Sequence, residues 1–386
     1  MSGTNAAQPI SGRARHPCTF PISTARRLQP ASGYDSRCST TSQRSPSQQS
    51  MKKIDTSKLK KGDIILSTST APESLIIRTA IRSDISHAML YVANGSVMDS
   101  TGEGVQARNI QKMFYDDDCA LYAYRPIIDL PEEEIDKVVK YVRSETGSPY
   151  TKKEAAASVL SLSKRGGKNQ FCSRLVARAY ASVGFKITEN PDFANPADIQ
   201  RSSFLKQIPD VVLTVSAEEE GSLAAHRDTT IGMREKISNL LAELRHIAPA
   251  IRVLSDVEPF LIKNPQYDTA FANAYRDSGY LTHWKIEVER FPWRYDPIAI
   301  AQFYHAIDDD GKEALLDYCR ETIRQDSEGD FKHWEINATE LRKLTTMMPL
   351  ETFKLNLQLY LTLCFNHKRR VDSARVLLQV YGNRPR

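Results

Sequence analysis

The stretch QFCSRLVARAYASVGF, Gln170–Phe185, decides how the rest of this chain is read. Leu175, Val176, Ala179, Tyr180 and Val183 recur at the three-and-four spacing of one helical face, and Gly184 stands where a left-handed cap closes a helix. The spacing predicts a helix that begins between Asn169 and Cys172 and ends at Gly184. Three positions before Leu175, Cys172 falls on the same face and in the first turn, where unpaired amides and the helix dipole favour a thiolate. A cysteine on an apolar helical face is more often a small hydrophobe than a catalyst. Chemistry therefore has to be argued from the rest of the chain.

A length of 386 residues suits two folded units. The apolar content of 41% and charged content of 26% are those of a globular protein. No apolar run approaches the roughly 18 residues that a membrane span needs. The net charge of +5 belongs to the first 50 residues, where Arg13, Arg15, Arg26, Arg27, Arg37 and Arg44 face Asp35 alone. The remainder is balanced, so basicity is no nucleic-acid signal and no nucleic-acid partner is expected. Residues 1–50, rich in Ser, Thr, Gln, Pro and Arg and without periodicity, read as a disordered leader. Their composition also fits a transit peptide, but Met51, directly ahead of the first structured-looking segment, is the expected natural start. Six cysteines without a CxxC pair, and no apolar signal-peptide core, indicate free thiols in a reducing compartment, hence a cytoplasmic protein.

From Gly62 the pattern is one of short strands. GDIILSTS (Gly62–Ser69) follows a turn glycine, and HAMLYVA (His87–Ala93), Asn94-Gly95 and SVMDS (Ser96–Ser100) read as a hairpin. CALYAYR (Cys119–Arg125) is another strand. Pro131 and Glu132, Glu133 and Glu134 open a helix whose stripe is Ile135, Val138, Val139 and Val142. Asp210–Val215 closes the unit. Strands, a helix, the Cys172 helix and a last strand predict an α+β domain with a small antiparallel sheet or half-barrel over residues 51–216. EEEG (Glu218–Gly221) marks the boundary to a mostly α-helical domain, residues 217–386, where Ile237, Leu240, Leu241, Leu244 and Ala248 form a stripe and Pro249, Pro259 and Pro265 punctuate. Phe353–Phe365 alternates like a strand, yet its leucines and near-lack of β-branched residues predict a buried helix.

A cysteine nucleophile needs a base and a group that orients the base. Between Met51 and Val215 the only histidine is His87, which opens the strand HAMLYVA. The hairpin offers Asp99, Ser100 and Glu103 as orienters, and strand parity decides among them. A strict two-residue turn at Asn94-Gly95 puts His87 on the face of Met98 and Ser100; one bulge or a three-residue loop brings Asp99 and Glu103 round instead.

GDIIL, SHAMLYV with VMDSTGEGV, GSPY at Gly147–Tyr150, FCSRLVARAY and NPADIQRSSFLKQI (Asn195–Ile208), in that order, resemble the circularly permuted papain-like cysteine hydrolases. These are the YiiX/YaeF-like branch of the NlpC superfamily, related to lecithin retinol acyltransferase. The likeness covers roughly residues 58–215. It implies Cys172 as nucleophile, His87 as base and a polar residue of the next strand as orienter. The family usually has glutamate where this chain has Asp99, so either Asp99 or Glu103 takes that part. The resemblance also sets Tyr150 near the oxyanion. It implies a cysteine-dependent amidase or peptidase acting on a small lipid or peptide substrate, with the helical domain shaping the groove or engaging a protein partner. The rivals are a lipid acyltransferase of the same fold and a non-catalytic binding module. No cofactor or metal is expected: GGK at Gly166–Lys168 lacks the rest of a phosphate loop, Asp308-Asp309-Asp310-Gly311 lacks the first ligand of a calcium loop, and HExxH is absent.

Overall fold

The structure, a computed structural model, describes residues 51–68, 73–150, 170–216, 220–221 and 228–382. The leader, Gly166–Lys168, and Glu218 and Glu219 of the boundary lie outside the described residues. The strands are β1 (Met51–Ile54), β2 (Ile64–Ser67), β3 (His87–Ala93), β4 (Ser96–Thr101), β5 (Gly104–Asn109), β6 (Tyr115–Asp116), β7 (Leu121–Pro126), β8 (Leu205–Gln207) and β9 (Val212–Val215). Among them run helices α1 (Glu73–Ile81), α2 (Glu132–Ser144), α3 (Cys172–Ala181) and α4 (Pro196–Gln200).

An antiparallel sheet has the order β5-β4-β3-β2-β7-β8, and a smaller one the order β6-β1-β9. This is the expected α+β arrangement, an antiparallel sheet with a cysteine-bearing helix, followed in the chain by helices. Alternation along β3 divides the core in two. Ala88, Leu90 and Val92 pack with Leu175, Val176, Ala179 and Tyr180 of α3 and with Val138, Val139 and Val142 of α2. Met89 and Tyr91 face the other way, into a cluster with Ile65, Val97, Ile110 and Tyr115. Each fully buried valine or leucine contributes on the order of 1.5–3 kcal/mol.

The helix starts follow local chemistry. Pro131 precedes α2 and three glutamates occupy its first turn, where acids favour the positive end of the dipole. Asn195 and Asp198 form a reciprocal capping box at α4, each side chain accepting from the other's backbone N–H. α3 ends three residues earlier than its spacing predicts. Gly184 still adopts the left-handed conformation, φ +81°, and the Phe185 N–H returns to the Tyr180 carbonyl.

Beyond residue 228 the described residues form α5 (Thr229–Ile247), α6 (Val257–Lys263), α7 (Asp268–Asp277), α8 (Trp284–Arg290), α9 (Pro297–Ala306), α10 (Asp309–Ser327), α11 (Lys332–Met347) and α12 (Glu351–Tyr381), with short 3-10 turns between them. The Phe353–Phe365 stretch is helical, within α12. It is buried on one side only: Phe353 and Leu359 are covered, whereas Phe365 is 62% exposed. Seven apolar side chains in alternation wrap all round a helix, and the neighbouring helices cover only part of that circumference.

Among the described residues, the apolar clusters of the helical part draw none from the sheet-containing part. The two parts meet instead through close backbone approach and arginine hydrogen bonds. At Gly147, φ +84°, a Cβ would stand 2.0 Å from Leu241 Cδ1 of α5. The Arg245 guanidinium donates to the Gly147 carbonyl at 2.7 Å, and Ser255 Oγ donates to the Ser144 carbonyl at 2.8 Å.

Candidate active site

His87 is the first residue of β3 and is held by the turn that leads into it. Ser86 N–H donates to the Ser67 carbonyl at 3.0 Å, and the buried Ser86 and Ser74 hydroxyls lie 2.7 Å apart. Thr68 Oγ1 donates to the Asp84 carbonyl, and Tyr122 Oη to Asp84 Oδ2, fixing the same turn to β7. The ring therefore emerges from a tethered strand end.

The register of β3 against β4 determines which acid it meets. Leu90 pairs with Met98 and Tyr91 with Val97, but Ala93 pairs with Ser96, so the ladder shifts by one residue between Tyr91 and Ala93. Ala93, Asn94 and Gly95 all have positive φ, at 146°, 52° and 67°. The extra residue changes parity, and Asp99 comes to the His87 face. His87 Nε2 lies 2.6 Å from Asp99 Oδ1, with Asp99 2% exposed and the histidine side chain 14%. The contact is an ion pair at hydrogen-bond distance.

With Nε2 turned to Asp99, Nδ1 is the ring nitrogen left for Cys172, whose proximity helps raise the His87 pKa. Cys172 is the first residue of α3, after the extended Phe171, and is 7% exposed. Its N–H is one of the four that a helix start leaves without an intrahelical acceptor. Burial pulls the His87 pKa down, but the charges of Asp99 and Cys172, and its hydrogen bonds to both, outweigh this and raise it well above 6.5. For Asp99, burial raises the pKa, and the opposing charges of His87 and Arg108 leave it below the usual carboxylate value. Both effects favour a charged imidazolium paired with an ionised Asp99.

Glu103 does not reach the ring. It binds Arg108 of β5, whose Nη2 is 2.9 Å from Glu103 Oε2 and whose Nε is 2.9 Å from Asp99 Oδ2. Tyr150 forms an isolated parallel bridge with Gln170, so it lies beside the segment that enters α3. Gln170 is buried and donates from Nε2 to Glu145 Oε2 at 3.0 Å. Arg108, Gln170 and Glu145 are residues that sequence reasoning did not single out. Gln170, two residues before the cysteine, carried a positional signal; Arg108 and Glu145 carried none short of the sheet register.

A thiol, an imidazole and a carboxylate are the residue types that nucleophilic catalysis by cysteine uses. Residues 58–209 match the family described as permuted papain-like amidase enzyme, YaeF/YiiX, C92 family. Those residues belong to the C92 permuted papain-like family. The C92 domain spans both His87 and Cys172, with the histidine first in the chain, and makes the protein a cysteine hydrolase of the amidase or peptidase type. A relative, the probable lipoprotein peptidase YaeF of Escherichia coli (strain K12), is 25% identical over 189 residues, which is 41% of this chain and 68% of that protein. The crystal structure of metalloprotein yiiX from Escherichia coli O157:H7 is 18% identical, with 97% of its chain and 39% of this one covered and a TM-score of 0.31.

Around the C92 site, two surface concavities lie away from the cysteine. One of 610 Å³ is lined by α5 and α7, including Glu243 and Asn273; another of 540 Å³ is lined by Glu189, Phe193, Arg201 and Phe204. Neither includes Cys172, His87 or Asp99 in its lining. Among the described residues one grouping has metal-ligand types, Asp116, Asp118 and Cys119, with ligand atoms within 4.8 Å of one another. Cys119 there is packed into an apolar cluster, and Asp118 is exposed at the turn after β6. No described helix is long and apolar enough to cross a membrane.

Proposed function

We propose that this protein is a cysteine-dependent amidase or peptidase in which Cys172 is the nucleophile, His87 the proton carrier and Asp99 the orienter. The observation that carries the reading is the His87 ring, 2.6 Å from the buried Asp99 and electrostatically coupled to Cys172 at the mouth of α3. His87 takes the Cys172 proton, and the thiolate attacks the carbonyl carbon of an amide or ester. The oxyanion is held by the Cys172 N–H at the start of α3, with Tyr150 on the neighbouring segment. His87 then returns the proton to the leaving amine or alcohol as the tetrahedral adduct collapses to a thioester on Cys172. Water, deprotonated by His87, attacks the thioester, releasing the acid and restoring the thiol.

The substrate class is a small lipid or peptide carrying such a bond. Residues 51–216 form the catalytic domain and 217–386 a helical domain, and the free-thiol usage of the chain fits a cytoplasmic setting. Cys172→Ala and His87→Ala are each expected to abolish turnover of an activated acyl ester while the protein stays folded. Unchanged turnover in either folded variant would defeat the assignment.

A further inference from the structure

The catalytic trio lies within the family-matched segment, yet each half of it is tied to a guanidinium from outside that segment. On the histidine side, Arg108 Nε is 2.9 Å from Asp99 Oδ2, and its Nη2 is 2.9 Å from Glu103 Oε2. Arg234 of α5 sets its Nε 3.4 Å from the same Glu103 oxygen, with its side chain 14% exposed. On the cysteine side, Gln170 Nε2 donates to Glu145 Oε2 at 3.0 Å. Arg252, just after α5, grips Glu145 with two nitrogens at 2.8 and 3.2 Å and donates to Ser148 Oγ at 2.6 Å. Gln170 is followed directly by Phe171 and Cys172, so this second link ends at the mouth of α3.

We propose that the helical region clamps both halves of the site, with Arg234 and Arg252 acting as positioning residues for the His87 and Cys172 sides respectively. The inference rests on the Cys172–His87 reading above. The nucleophile and its base come from separate elements, a helix start and a strand start, and their alignment depends on whatever spans both. Apolar packing of β3 against α3 joins the two within the sheet-containing part, and the two arginines add a polar tie to each side from the helical part. Arg234 on α5 and Arg252 in the turn that follows it lie 18 residues apart, and between them they touch both sides.

The link through Glu103 is partly wet, since its side chain is 48% exposed. An ion pair of that kind contributes little to stability. Its effect is orientational: Arg234 offsets the Glu103 charge, and Arg108 stays on Asp99 Oδ2, leaving Oδ1 to the imidazole. The charged groups facing this chain are His87, Arg108 and Arg234 around Asp99, with the Tyr115 hydroxyl from the buried side, and Cys172 beyond His87.

The test uses the full chain and hydrolysis of p-nitrophenyl acetate, with Cys172→Ala as the blank. Arg234→Met and Arg252→Met are each expected to lower kcat about 10-fold to 10²-fold, with KM changed less than about twofold, because a misplaced group slows chemistry more than binding. Arg234→Lys is expected to restore part of the loss. Loss of Arg234 frees Glu103 to draw Arg108 off Asp99, which leaves more of the Asp99 charge to the imidazolium, so the alkaline limb of kcat/KM moves to higher pH in Arg234→Met and stays in place in Arg252→Met. Glu103→Gln breaks the same link at an exposed side chain that folding tolerates, and is expected to lower kcat to a similar extent. Wild-type kcat and an unmoved limb in folded Arg234→Met and Glu103→Gln would overturn the clamp while leaving the Cys172 reading intact. Wild-type hydrolysis no faster than the Cys172→Ala blank would remove the reading beneath it.

Discussion

Asp99 reaches His87 because the β3–β4 hairpin carries one extra residue between Tyr91 and Ala93, and without that shift its carboxylate would lie on the opposite face of the sheet. The hairpin register thus sets the chemistry of the histidine. Asp99→Asn keeps the shape and removes the charge. It is expected to lower kcat/KM about 10²-fold to 10⁴-fold, the range for an impaired acid–base pair. Steady-state kinetics against the Cys172→Ala blank measures this.

The pH dependence follows from the same contact. His87 holds its proton to a pH well above 6.5, against the downward pull of burial, because Asp99 and Cys172 flank it. The alkaline limb of kcat/KM is therefore expected well above 6.5, and Asp99→Asn is expected to move it to lower pH. For stability, a raised folded pKa means that this contribution is fully present below 6.5 and is lost as pH rises through the folded value. Thermal unfolding of wild type and His87→Ala at pH 6 and at pH 10 checks the sign: the gap should be wider at pH 6.

Gly147 tests the contact between sheet and helices. Its φ of +84° and the 2.0 Å approach of Leu241 Cδ1 leave no room for a methyl group. Gly147→Ala is expected to cost about 2–4 kcal/mol, summing overpacking and left-handed strain. Gly184→Ala, at φ +81° with nothing within 4 Å of the added carbon, should cost about 1–2 kcal/mol from strain alone. Urea unfolding of both variants measures the difference.

Glu258 of α6 is pushed up to about 7 by burial, against a small lowering from its own backbone N–H. Glu258 is only partly buried, which tempers the effect. The folded chain binds this proton more tightly than the unfolded one, so stability falls as pH rises from 4.5 to about 7 and then levels. Glu258→Gln is expected to raise stability by about 1–2 kcal/mol at pH 8 and to leave it little changed at pH 4. Denaturation at the two pH values tests it.

Much of this site was legible in the sequence, for reasons tied to particular residues. Cys172 was exposed by helical spacing and by the glycine that closes the helix, both local signals. His87 stood out through scarcity. Asp99 was not decidable against Glu103, because the choice turns on a bulge whose energetics depend on how both strands pack. The helix over Phe353–Phe365 was readable from leucine, but its one-sided burial was not, since coverage depends on which neighbours pack against it. Arg108, Glu145, Arg234 and Arg252 carry ordinary surface-arginine or acidic signatures, and only the fold brings them to the site.

In the proposed mechanism Cys172 forms an acyl intermediate with His87 as its proton partner. Intact mass and peptide mapping after a brief exposure to p-nitrophenyl acetate, quenched in acid, test it most directly. The prediction is one acetyl group on Cys172 in the wild-type protein, removed by hydroxylamine and absent from His87→Ala. No adduct on Cys172, or equal labelling of the His87→Ala protein, would contradict it.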